Sequence, residues 1–373
     1  MTKQMILESP SLIDRLVRGT NEWSLIDVRA PSEWDKASIP GFVNLPILND
    51  SERHLVGLAY KHHGQDAAIK LALELTAPHQ QSRIDGWYQA VQSSPVKIGV
   101  VMCWRGGLRS LTACQRLAEA GAVTMQLAGG YKAIRNELLK HLVAPPSCIV
   151  LTGLTGSGKT SLIRQLNGSE TGVTRAIDLE LSAGHRGSAF GAGDFESQPS
   201  QSRFENNLAL QIIRGSLASS ELLIEDESRT IGNVSVPDAL YKVIVSAPVV
   251  VVDEPLHVRS ANIAQEYLQV PLDRGVPLEA LHEKAKLALT SISRRLDVFG
   301  PKLSEQMDSA FKHGGDLQRH QEWIEALLVH YYDKSYYHSL NRLKRPTLFQ
   351  GDRLSCQAWL EDYFAKKSMP FAV

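Results

Sequence analysis

Cysteine is scarce in this chain of 373 residues, which contains only Cys103, Cys114, Cys148 and Cys356. Four cysteines with these spacings form neither the paired motifs of a zinc site nor the dense framework of a small disulfide-rich protein. We therefore expect reduced thiols, which are typical of cytoplasmic proteins.

Long apolar runs are also lacking. No stretch approaches the roughly 20 apolar residues of a membrane-spanning helix, and the first residues, MTKQMILESPSLIDRL, lack the apolar core of a signal peptide. Neither sign of charge is in excess, since 40 Lys and Arg residues balance 40 Asp and Glu residues. The sequence predicts a cytoplasmic protein without membrane association, in which nucleic-acid binding requires a local basic patch.

What is present is an alternation of strand-like and helix-like segments. WSLIDVRAP, VKIGVVM and VTMQL have the apolar, β-branched character of strands, and the helical patterns of DAAIKLALELTA and SRIDGWYQAVQ lie between the first two. Such alternation predicts a parallel sheet in an α/β domain. The prolines of VAPPSC mark a boundary near residue 145.

A second series of strands begins at CIVLTG and continues with SSELLIEDES and APVVVVDEP. Beyond about residue 260 the strand patterns end, and the remaining segments are helical and rich in charged and aromatic residues. We therefore predict an α/β domain over residues 1–144, a second α/β domain over 145–260, and a helical C-terminal region over 261–373.

The segment CWRGGLRS, residues 103–110, joins the strand-like VKIGVVM to a helix. A cysteine at a helix N-terminus beside cations is favoured as a thiolate, the nucleophilic form of this side chain. Gly106 and Gly107 allow tight curvature, so that successive backbone N–H groups can surround an anion. We predict Cys103 as a nucleophile, Arg109 as the catalytic residue that pairs with a bound oxyanion, and Arg105 as a substrate contact.

The segment GLTGSGKT matches the phosphate-loop pattern G-x4-G-K-S/T between a strand, CIVL, and a helix, SLIRQL. Its backbone amides would surround phosphates, the lysine would add a positive charge, and the threonine hydroxyl would bind Mg²⁺. We predict phosphate binding by Gly153, Gly156, Ser157, Gly158, Lys159 and Thr160.

The segment ELLIEDESR resembles the acidic strand end that completes the metal site of phosphate-loop proteins. Together with Thr160, we predict Asp226 as a ligand of Mg²⁺, while Glu225 and Glu227 compete for the same role. The pattern by itself favours a nucleotide as the phosphate-bearing ligand.

Polar loops and a basic C-terminal segment supply candidates for substrate contacts. DLELSAGHRGSAFG is dense in polar residues separated by glycines, a composition typical of loops that line binding sites. HYYDKSYYHSLNRLKR can contact nucleic-acid phosphates through its basic residues and stack a base on a tyrosine. The candidate substrate or nucleic-acid contacts are Arg105, His185, Arg186, Ser188, Arg229, Arg342, Lys344 and Arg345.

The first domain resembles the rhodanese family in three places: LIDVRAPSEWDKASIPGFVNLPI, the strand that leads to Cys103, and LAGGYKAIR. This resemblance implies a rhodanese-like parallel sheet and a loop whose cysteine carries a persulfide. Two positions depart from the family. Ser38 stands where many rhodaneses have His, and five residues separate Cys103 from Arg109, one more than in many single-domain rhodaneses.

The spacing Cys-x5-Arg-Ser also matches the loop of tyrosine phosphatases and of their rhodanese-related relatives. Met102 stands where those phosphatases usually have His, and no Asp stands out as a general acid. A phosphatase is therefore the less favoured interpretation. The wider loop suits a phosphate-sized anion, including a phosphate that carries a chalcogen.

CWRGGLRS, DLELSAGHRGSAFG, QPSQSRFEN and EDESRTIGNVSVP, in this order, closely resemble the tRNA 2-selenouridine synthase family over most of residues 10–260. The resemblance implies a rhodanese-like domain followed by a P-loop NTPase-like α/β domain. It also implies that selenium from selenophosphate replaces sulfur in 2-thiouridine at the tRNA wobble position, with a perselenide on Cys103. In this family the sulfur is first S-geranylated from geranyl diphosphate, which makes it a better leaving group.

We therefore expect tRNA, selenophosphate and geranyl diphosphate as substrates, with Mg²⁺ at the phosphate loop. Our hypothesis assigns the prenyl diphosphate, rather than a nucleotide, to that loop. Two other interpretations stay open. One is a nucleotide-dependent kinase or NTPase joined to a sulfur carrier, for which rapid nucleotide turnover without tRNA would be the sign. The other is a binding protein whose rhodanese-like domain only docks partners, which an unreactive Cys103 would indicate.

Overall fold

The computed structural model describes residues 5–168, 176–185, 198–296 and 298–367. The chain divides into two compact units. The first comprises Met1–Val143 and Pro199–Ile213, and the second comprises Ala144–Gln198 and Arg214–Val373. The helices after residue 261 thus belong to the same unit as the phosphate loop, and their treatment as a separate region stays a prediction.

The first unit contains a five-stranded sheet in the part of the chain that the structure describes, with all strand pairs parallel. Its strands, in sheet order, are β1 (Met5–Leu7), β5 (Val123–Leu127), β4 (Ile98–Met102), β2 (Ser24–Asp27) and β3 (Val43–Asn44). Its helices are α1 (Ser9–Arg18), α2 (Pro31–Lys36), α3 (Asp50–Thr76), α4 (Gln80–Gln92), α5 (Leu108–Glu119) and α6 (Gly130–Val143). The parallel α/β fold expected from the sequence is confirmed.

The carboxyl ends of β2 and β4 meet at one edge of this sheet, where Asp27 pairs in register with Met102. Asp27 is the last residue of β2, Arg29 follows two residues later, and both are fully buried. The guanidinium of Arg29 donates to both carboxylate oxygens of Asp27, at 3.0 Å for Nε–Oδ1 and 2.6 Å for Nη2–Oδ2, and to the Ala37 carbonyl at 2.7 Å. It also lies 4.1 Å from the ring centre of Tyr131. The Asp-Val-Arg pattern therefore builds a buried ion pair beside the cysteine loop.

Helix α3 contains an interruption at Gly64, whose φ of +82° lies in the left-handed region that glycine adopts without strain. The helix begins at a capping box in which the Asn49 side chain accepts the Glu52 N–H at 2.8 Å. Within this helix only Glu52 and Ala68 are buried. Most of its apolar side chains are therefore left outside the core of the unit.

The second unit contains another five-stranded parallel sheet within its described residues. Its strands, in sheet order, are β12 (Thr347–Gly351), β11 (Val249–Val252), β6 (Ser147–Gly153), β8 (Glu221–Glu225) and β7 (Ala176–Ile177). A small antiparallel pair is formed by β9 (Thr230–Ile231) and β10 (Val234–Ser235). The strands predicted at CIVLTG, SSELLIEDES and APVVVVDEP are confirmed as β6, β8 and β11.

The helices that follow β6 along the chain are α7 (Lys159–Gly168), α8 (Leu179–Ala183), α9 (Gln201–Ala218), α10 (Asp238–Ser246), α11 (Leu256–Ala264), α12 (Val270–Asp273), α13 (Leu278–Leu296), α14 (Phe299–Lys312), α15 (Leu317–Leu327), α16 (Asp333–Leu343) and α17 (Arg353–Lys366). Helices α11 and α13–α15 share an apolar core that includes Leu289, Met307 and Trp323. The C-terminal region is helical as expected, except that β12 joins the sheet beside β11. The expectation that strands end near residue 260 is therefore wrong at this edge strand. Among the described helices, none combines the length and apolar character that a bilayer span requires.

We predict that Asp27→Ala lowers the free energy of unfolding by about 3–5 kcal/mol, because it leaves the buried Arg29 without a counter-charge. Asp14→Ala is the matched control, since it removes an exposed ion pair with Arg18, of 2.7 Å, in the same unit. That control should cost less than about 1 kcal/mol. Urea denaturation of both variants checks the difference, and equal losses would contradict a stabilising role for the buried pair.

Candidate functional site

Cys103 directly follows β4 and precedes α5, so the first unit holds it at the carboxyl edge of the sheet. Its backbone is held by the start of α6, because the Tyr131 N–H donates to the Cys103 carbonyl at 2.8 Å. The Lys132 N–H likewise donates to the Trp104 carbonyl at 3.0 Å. The start of α6 therefore anchors the first two residues of the cysteine loop.

Glycines make this anchoring possible. Gly130 has a φ of +58°, and a Cβ there would lie 2.2 Å from the Cys103 carbonyl oxygen. Gly106 has a φ of +64°, and a Cβ there would lie 2.8 Å from the backbone nitrogen of Gly129. The two segments therefore pack backbone against backbone, which explains why the sequence carries glycines in both.

The thiol of Cys103 lies among polar groups of its own loop and of α5. The Gly107 N–H points at Sγ at 3.3 Å, and the Ser110 hydroxyl oxygen lies 3.2 Å from Sγ. The Gln126 side-chain amide donates to the Ser110 Oγ at 2.8 Å and to the Gly106 carbonyl at 2.9 Å. The Gly107 carbonyl also lies near the thiol, at 4.0 Å from Sγ, and accepts the Ser110 hydroxyl at 3.2 Å. Within the described chain, the N–H groups of Trp104 and of the two residues after it have no acceptor.

Arg109 lies beside this loop, but its guanidinium is paired with Glu33, at 2.6 Å for Nη1–Oε2 and 3.3 Å for Nη2–Oε1. Arg53 adds a second contact to Glu33 at 3.0 Å. Burial alone would raise the pKa of Glu33. The hydrogen bonds and the charge of Arg109 nevertheless hold this pKa below its usual value. Glu33 is thus a carboxylate that orients Arg109, and oxyanion binding by Arg109 stays a prediction.

A cleft of about 810 Å³ opens above Cys103. We call it the thiol cleft. One end is formed by Cys103, Arg105 and Arg109, and the walls come mainly from α3 and the residues before it. The apolar wall residues include Leu48, Val56, Leu58, Ala68, Ile69 and Leu73. Among the described residues, no carboxylate lines this cleft.

The phosphate loop of the second unit lies between β6 and α7, as its motif predicts. Lys159 folds back so that Nζ donates to the Gly153 carbonyl at 2.8 Å. Gly156 has a φ of +82°, and a Cβ there would lie 2.6 Å from the Arg259 carbonyl oxygen. In the described chain, the N–H groups of Gly156 and Gly158 have no acceptor, which leaves them for a phosphate oxygen. Ser157 is fully buried, with an Oγ that has no partner within the described chain.

Helix α11 supports the phosphate loop from behind. Arg259 donates to the Thr155 carbonyl at 3.2 Å and is itself held by Asp333 at 2.8 Å. Asn262 donates to the Gly156 carbonyl at 2.9 Å. A second cleft of about 700 Å³, the P-loop cleft, adjoins this loop and is lined by Lys159, Arg164 and Arg353 together with acidic residues. The combination suits a ligand with two or more phosphate groups.

The acidic residue that contacts Thr160 of the phosphate loop is Glu225. The Thr160 hydroxyl donates to Glu225 Oε1 at 2.7 Å. Glu225 lies at the end of β8 and is 1% exposed, and its Oε2 has no partner within the described chain. Burial raises the pKa of Glu225 well above its usual value, and burial together with the negative charge of Glu180 raises the pKa of Glu227 to about 8. These carboxyl groups suit a cation, which would compensate their unfavourable burial.

Asp226 lies on the other side of the strand end and has different partners. Arg345 contacts both of its carboxylate oxygens, at 3.0 and 2.6 Å, and the Thr152 hydroxyl donates to Oδ2 at 2.5 Å. The structure therefore corrects the prediction of Asp226 as the metal ligand beside Thr160, because its oxygens are already occupied. It also corrects Arg345 as a tRNA contact, since that side chain is 3% exposed and neutralises Asp226.

The other predicted contacts are distributed as follows. Arg105 is exposed at the thiol cleft. Arg229 is exposed and pairs with Asp238, and Lys344 is exposed at the end of α16. His185 is half-buried, with an Nδ1 that lacks a partner within the described residues. Arg186 and Ser188 lie outside the described residues, as does the side chain of Arg342. For all of these, substrate contact stays a prediction.

Sequence reasoning missed several residues of both sites. Two of them, Gln126 at the thiol and Glu33 at Arg109, lie far from Cys103 in sequence. Ser110, also at the thiol, is an ordinary residue of the first turn of α5. Arg259 and Arg353 at the phosphate loop occur in segments without a phosphate-binding pattern. Only Ser110 had a signal, because it follows Arg109 in the Cys-x5-Arg-Ser spacing.

The two units define a two-part class of protein: a rhodanese-like domain with a cysteine loop, joined to a P-loop domain. Family models match accordingly, with a rhodanese-like domain at residues 9–137 and a tRNA 2-selenouridine synthase AAA domain at residues 146–367. The chain belongs to the tRNA 2-selenouridine synthase family.

Curated relatives agree with this assignment over nearly the whole chain. A tRNA 2-selenouridine synthase of Shewanella loihica is 36% identical over 359 residues, which cover 91% of this chain and 93% of the relative. One of Hahella chejuensis is 38% identical over 360 residues, which cover 92% and 91%. A solved N-terminal domain of a putative ATP/GTP binding protein from Clostridium difficile 630 covers 36% of this chain and 98% of its own, at 25% identity. Its TM-score of 0.33 is too low to support a structural argument.

We predict that Glu225→Gln abolishes the Mg²⁺-dependent part of diphosphate binding, because it removes the carboxylate that Thr160 contacts. Asp226→Asn should retain this Mg²⁺ dependence but lower the free energy of unfolding by about 3 kcal/mol or more, since Arg345 loses its counter-charge. Calorimetric titration of inorganic diphosphate with and without Mg²⁺, combined with urea denaturation, checks both. Loss of Mg²⁺ dependence in the Asp226 variant alone would restore Asp226 as the ligand.

Proposed function

We propose that this protein is a tRNA-modifying enzyme that replaces sulfur by selenium in 2-thiouridine at the wobble position. Selenophosphate is the selenium donor, and geranyl diphosphate first converts the sulfur into a thioether. Support for action on tRNA comes from the family, whose relatives are named tRNA 2-selenouridine synthase. The geranyl and selenophosphate steps are our inference from the two clefts.

One observation carries the proposal: the thiol loop, in which three successive N–H groups have no acceptor in the described chain, opens into a largely apolar cleft. The N–H groups of the Cys103 loop suit the phosphate of selenophosphate, and the apolar wall on α3 suits a prenyl chain. Displacement at C2 of an S-geranylated base requires the selenium donor and the geranyl chain to bind in the same cleft. The cleft volume of about 810 Å³ falls within the range of about 300–1,000 Å³ that is typical of small-ligand sites.

The P-loop cleft would hold the diphosphate of the prenyl donor. Lys159 and Arg353 supply positive charge there, and the free N–H groups of Gly156 and Gly158 supply directed donors. As the thiocarbonyl sulfur attacks C1 of the geranyl group, the C–O bond breaks and these groups stabilise the departing diphosphate. The proton on N3 of the base is released to complete the transfer.

A divalent cation fits the same cleft. The unpartnered Glu225 Oε2 and the Thr160 hydroxyl would hold Mg²⁺, with phosphate oxygens and waters as its remaining ligands. Among the described residues no group of three or more His, Cys, Asp or Glu side chains has metal-site geometry. Bound Mg²⁺ would neutralise charge on the diphosphate.

Selenium would then displace the thioether. Hydroselenide attacks C2, the C2–S bond breaks, and geranylthiolate leaves while the selenium proton moves to N3. Alkylation matters because a thiolate is a far better leaving group than the sulfide dianion that an unmodified thiocarbonyl would release. The tRNA phosphates would be met by exposed cations, for which Arg105, Arg229 and Lys344 remain our candidates.

We predict that Cys103→Ser and Lys159→Ala block different steps of the reaction. Lys159→Ala should slow S-geranylation by about 100-fold or more, because it removes the positive charge of the loop beside the leaving diphosphate. Cys103→Ser should geranylate normally but form no 2-selenouridine. Nucleoside mass spectrometry of 2-thiouridine RNA treated with each variant measures both products.

RNA that is already S-geranylated separates this scheme from a nucleotide-dependent one. Such RNA should restore selenation by the Lys159 variant but not by the Cys103 variant. If the Lys159 variant geranylates normally and loses hydrolysis of ATP or GTP instead, the loop serves a nucleotide and the alternative of a nucleotide-dependent sulfur carrier is correct.

We also predict that Leu58→Asp weakens the binding of S-geranylated RNA by about tenfold or more, because a charge replaces apolar surface in the thiol cleft. Leu55→Asp is the control on the same helix, since Leu55 is 45% exposed outside the cleft and Leu58 is 42% exposed within it. Fluorescence anisotropy with S-geranyl and S-methyl RNA measures the difference. Equal losses for both variants, or equal losses for both RNAs, would exclude this cleft as the prenyl site.

A further inference from the structure

Cys103 need not accept selenium in order to deliver it. Exchange of C2=S for C2=Se changes no oxidation state, since both chalcogens are divalent anions in formal terms. A perselenide on Cys103 joins two such chalcogens, and its formation from a thiolate and selenophosphate with phosphate as product removes two electrons. Nothing in the described chain or in the proposed substrates accepts those electrons. The cysteine chemistry that balances leaves selenium reduced.

We propose that Cys103 attacks the phosphorus of selenophosphate, forms S-phosphocysteine and releases hydroselenide inside the thiol cleft. In this step the Sγ–P bond forms and the Se–P bond breaks, with the electron pair leaving on selenium. Water then attacks phosphorus, the Sγ–P bond breaks, and phosphate is released with the thiolate restored. This inference rests on the proposed function, since it takes selenophosphate as the donor.

The loop geometry favours attack at phosphorus. Five residues separate Cys103 from Arg109, and the N–H groups of Trp104, Arg105 and Gly106 have no acceptor in the described chain. These donors can bind the peripheral oxygens of a phosphoryl group while Sγ lies below its phosphorus. Arg109 uses only Nη1 and Nη2 for Glu33, so its guanidinium keeps further N–H donors for the anion.

The absence of a carboxylate in the thiol cleft fits the same step. A phosphate ester needs a general acid because an alkoxide is a poor leaving group, whereas hydroselenide is a much weaker base and leaves without a proton. Among the described residues, no Asp or Glu lines the cleft. His54 does line the cleft, but the step proposed here needs no proton on its leaving group.

Ser110 acts as a positioning residue for the second half of the cycle. Its Oγ lies 3.2 Å from Sγ, accepts a hydrogen bond from Gln126 and donates to the Gly107 carbonyl at 3.2 Å. A rotation of the hydroxyl from that carbonyl towards sulfur supplies a hydrogen bond to a departing thiolate. When the Sγ–P bond breaks, this hydroxyl and the Gly107 N–H stabilise the departing thiolate. Loss of the hydroxyl should slow hydrolysis of the phosphocysteine more than its formation.

The test is rapid-quench peptide mass spectrometry of the full-length protein after mixing with selenophosphate. Phosphorus without selenium on the Cys103 peptide is the expected result. In Ser110→Ala the adduct should persist about 10- to 100-fold longer, the kinetic equivalent of one hydrogen bond to a charged group. Cys103→Ser should carry no adduct, and Cys356→Ser, which changes a buried thiol of the second unit, should behave as wild type.

The possible failures are distinguishable. Selenium on Cys103 without phosphorus would overturn the inference and leave the proposed function intact, as would selenide release with no phosphorus on Cys103 in either wild type or Ser110→Ala. If the wild-type protein neither consumes selenophosphate nor selenates S-geranylated RNA, the proposed function fails, and this inference fails with it.

Discussion

The close approach of two backbone segments in the first unit is the constraint on which the thiol site depends. Because Gly130 lies where a Cβ would overlap the Cys103 carbonyl, the chain can dock α6 directly against the cysteine loop. Docking binds the Cys103 and Trp104 carbonyls to α6, and the N–H groups of residues 104–106 have no acceptor in the described chain. The buried Arg29, stacked on Tyr131 and paired with Asp27, holds the other side of the same junction.

The second unit depends on the alternation of side chains at the end of β8. Neighbouring residues of a strand point to opposite faces, so Glu225 and Asp226 cannot serve the same purpose. Glu225 faces the Thr160 hydroxyl, and Asp226 faces Arg345 and Thr152. Glu225 therefore belongs to the phosphate loop, whereas Asp226 forms an ion pair that stabilises the unit.

Features that are local in sequence could be predicted, and features that join distant segments could not. The cysteine loop, the phosphate loop and the central strands follow from short motifs and apolar runs. The segment ELLIEDES does not show which of its acidic residues faces the phosphate loop, and the partner of Asp226 lies 119 residues away. Strand β12 could not be predicted because TLFQG is a short edge strand with mostly exposed residues. It therefore lacks the apolar run that is typical of a buried strand.

The position of β12 and α17 also bears on how the protein is made. β12 pairs with β11, Cys356 and Phe364 of α17 complete the core beneath the phosphate loop, and Arg353 lies against Gly158. Domains that fold during synthesis generally do so from the N-terminal side. The rhodanese-like sheet can therefore form while the ribosome is still at work, but the phosphate site is finished only after residues 347–366 have emerged. A nascent chain interrupted before that point carries the cysteine loop without a completed phosphate loop.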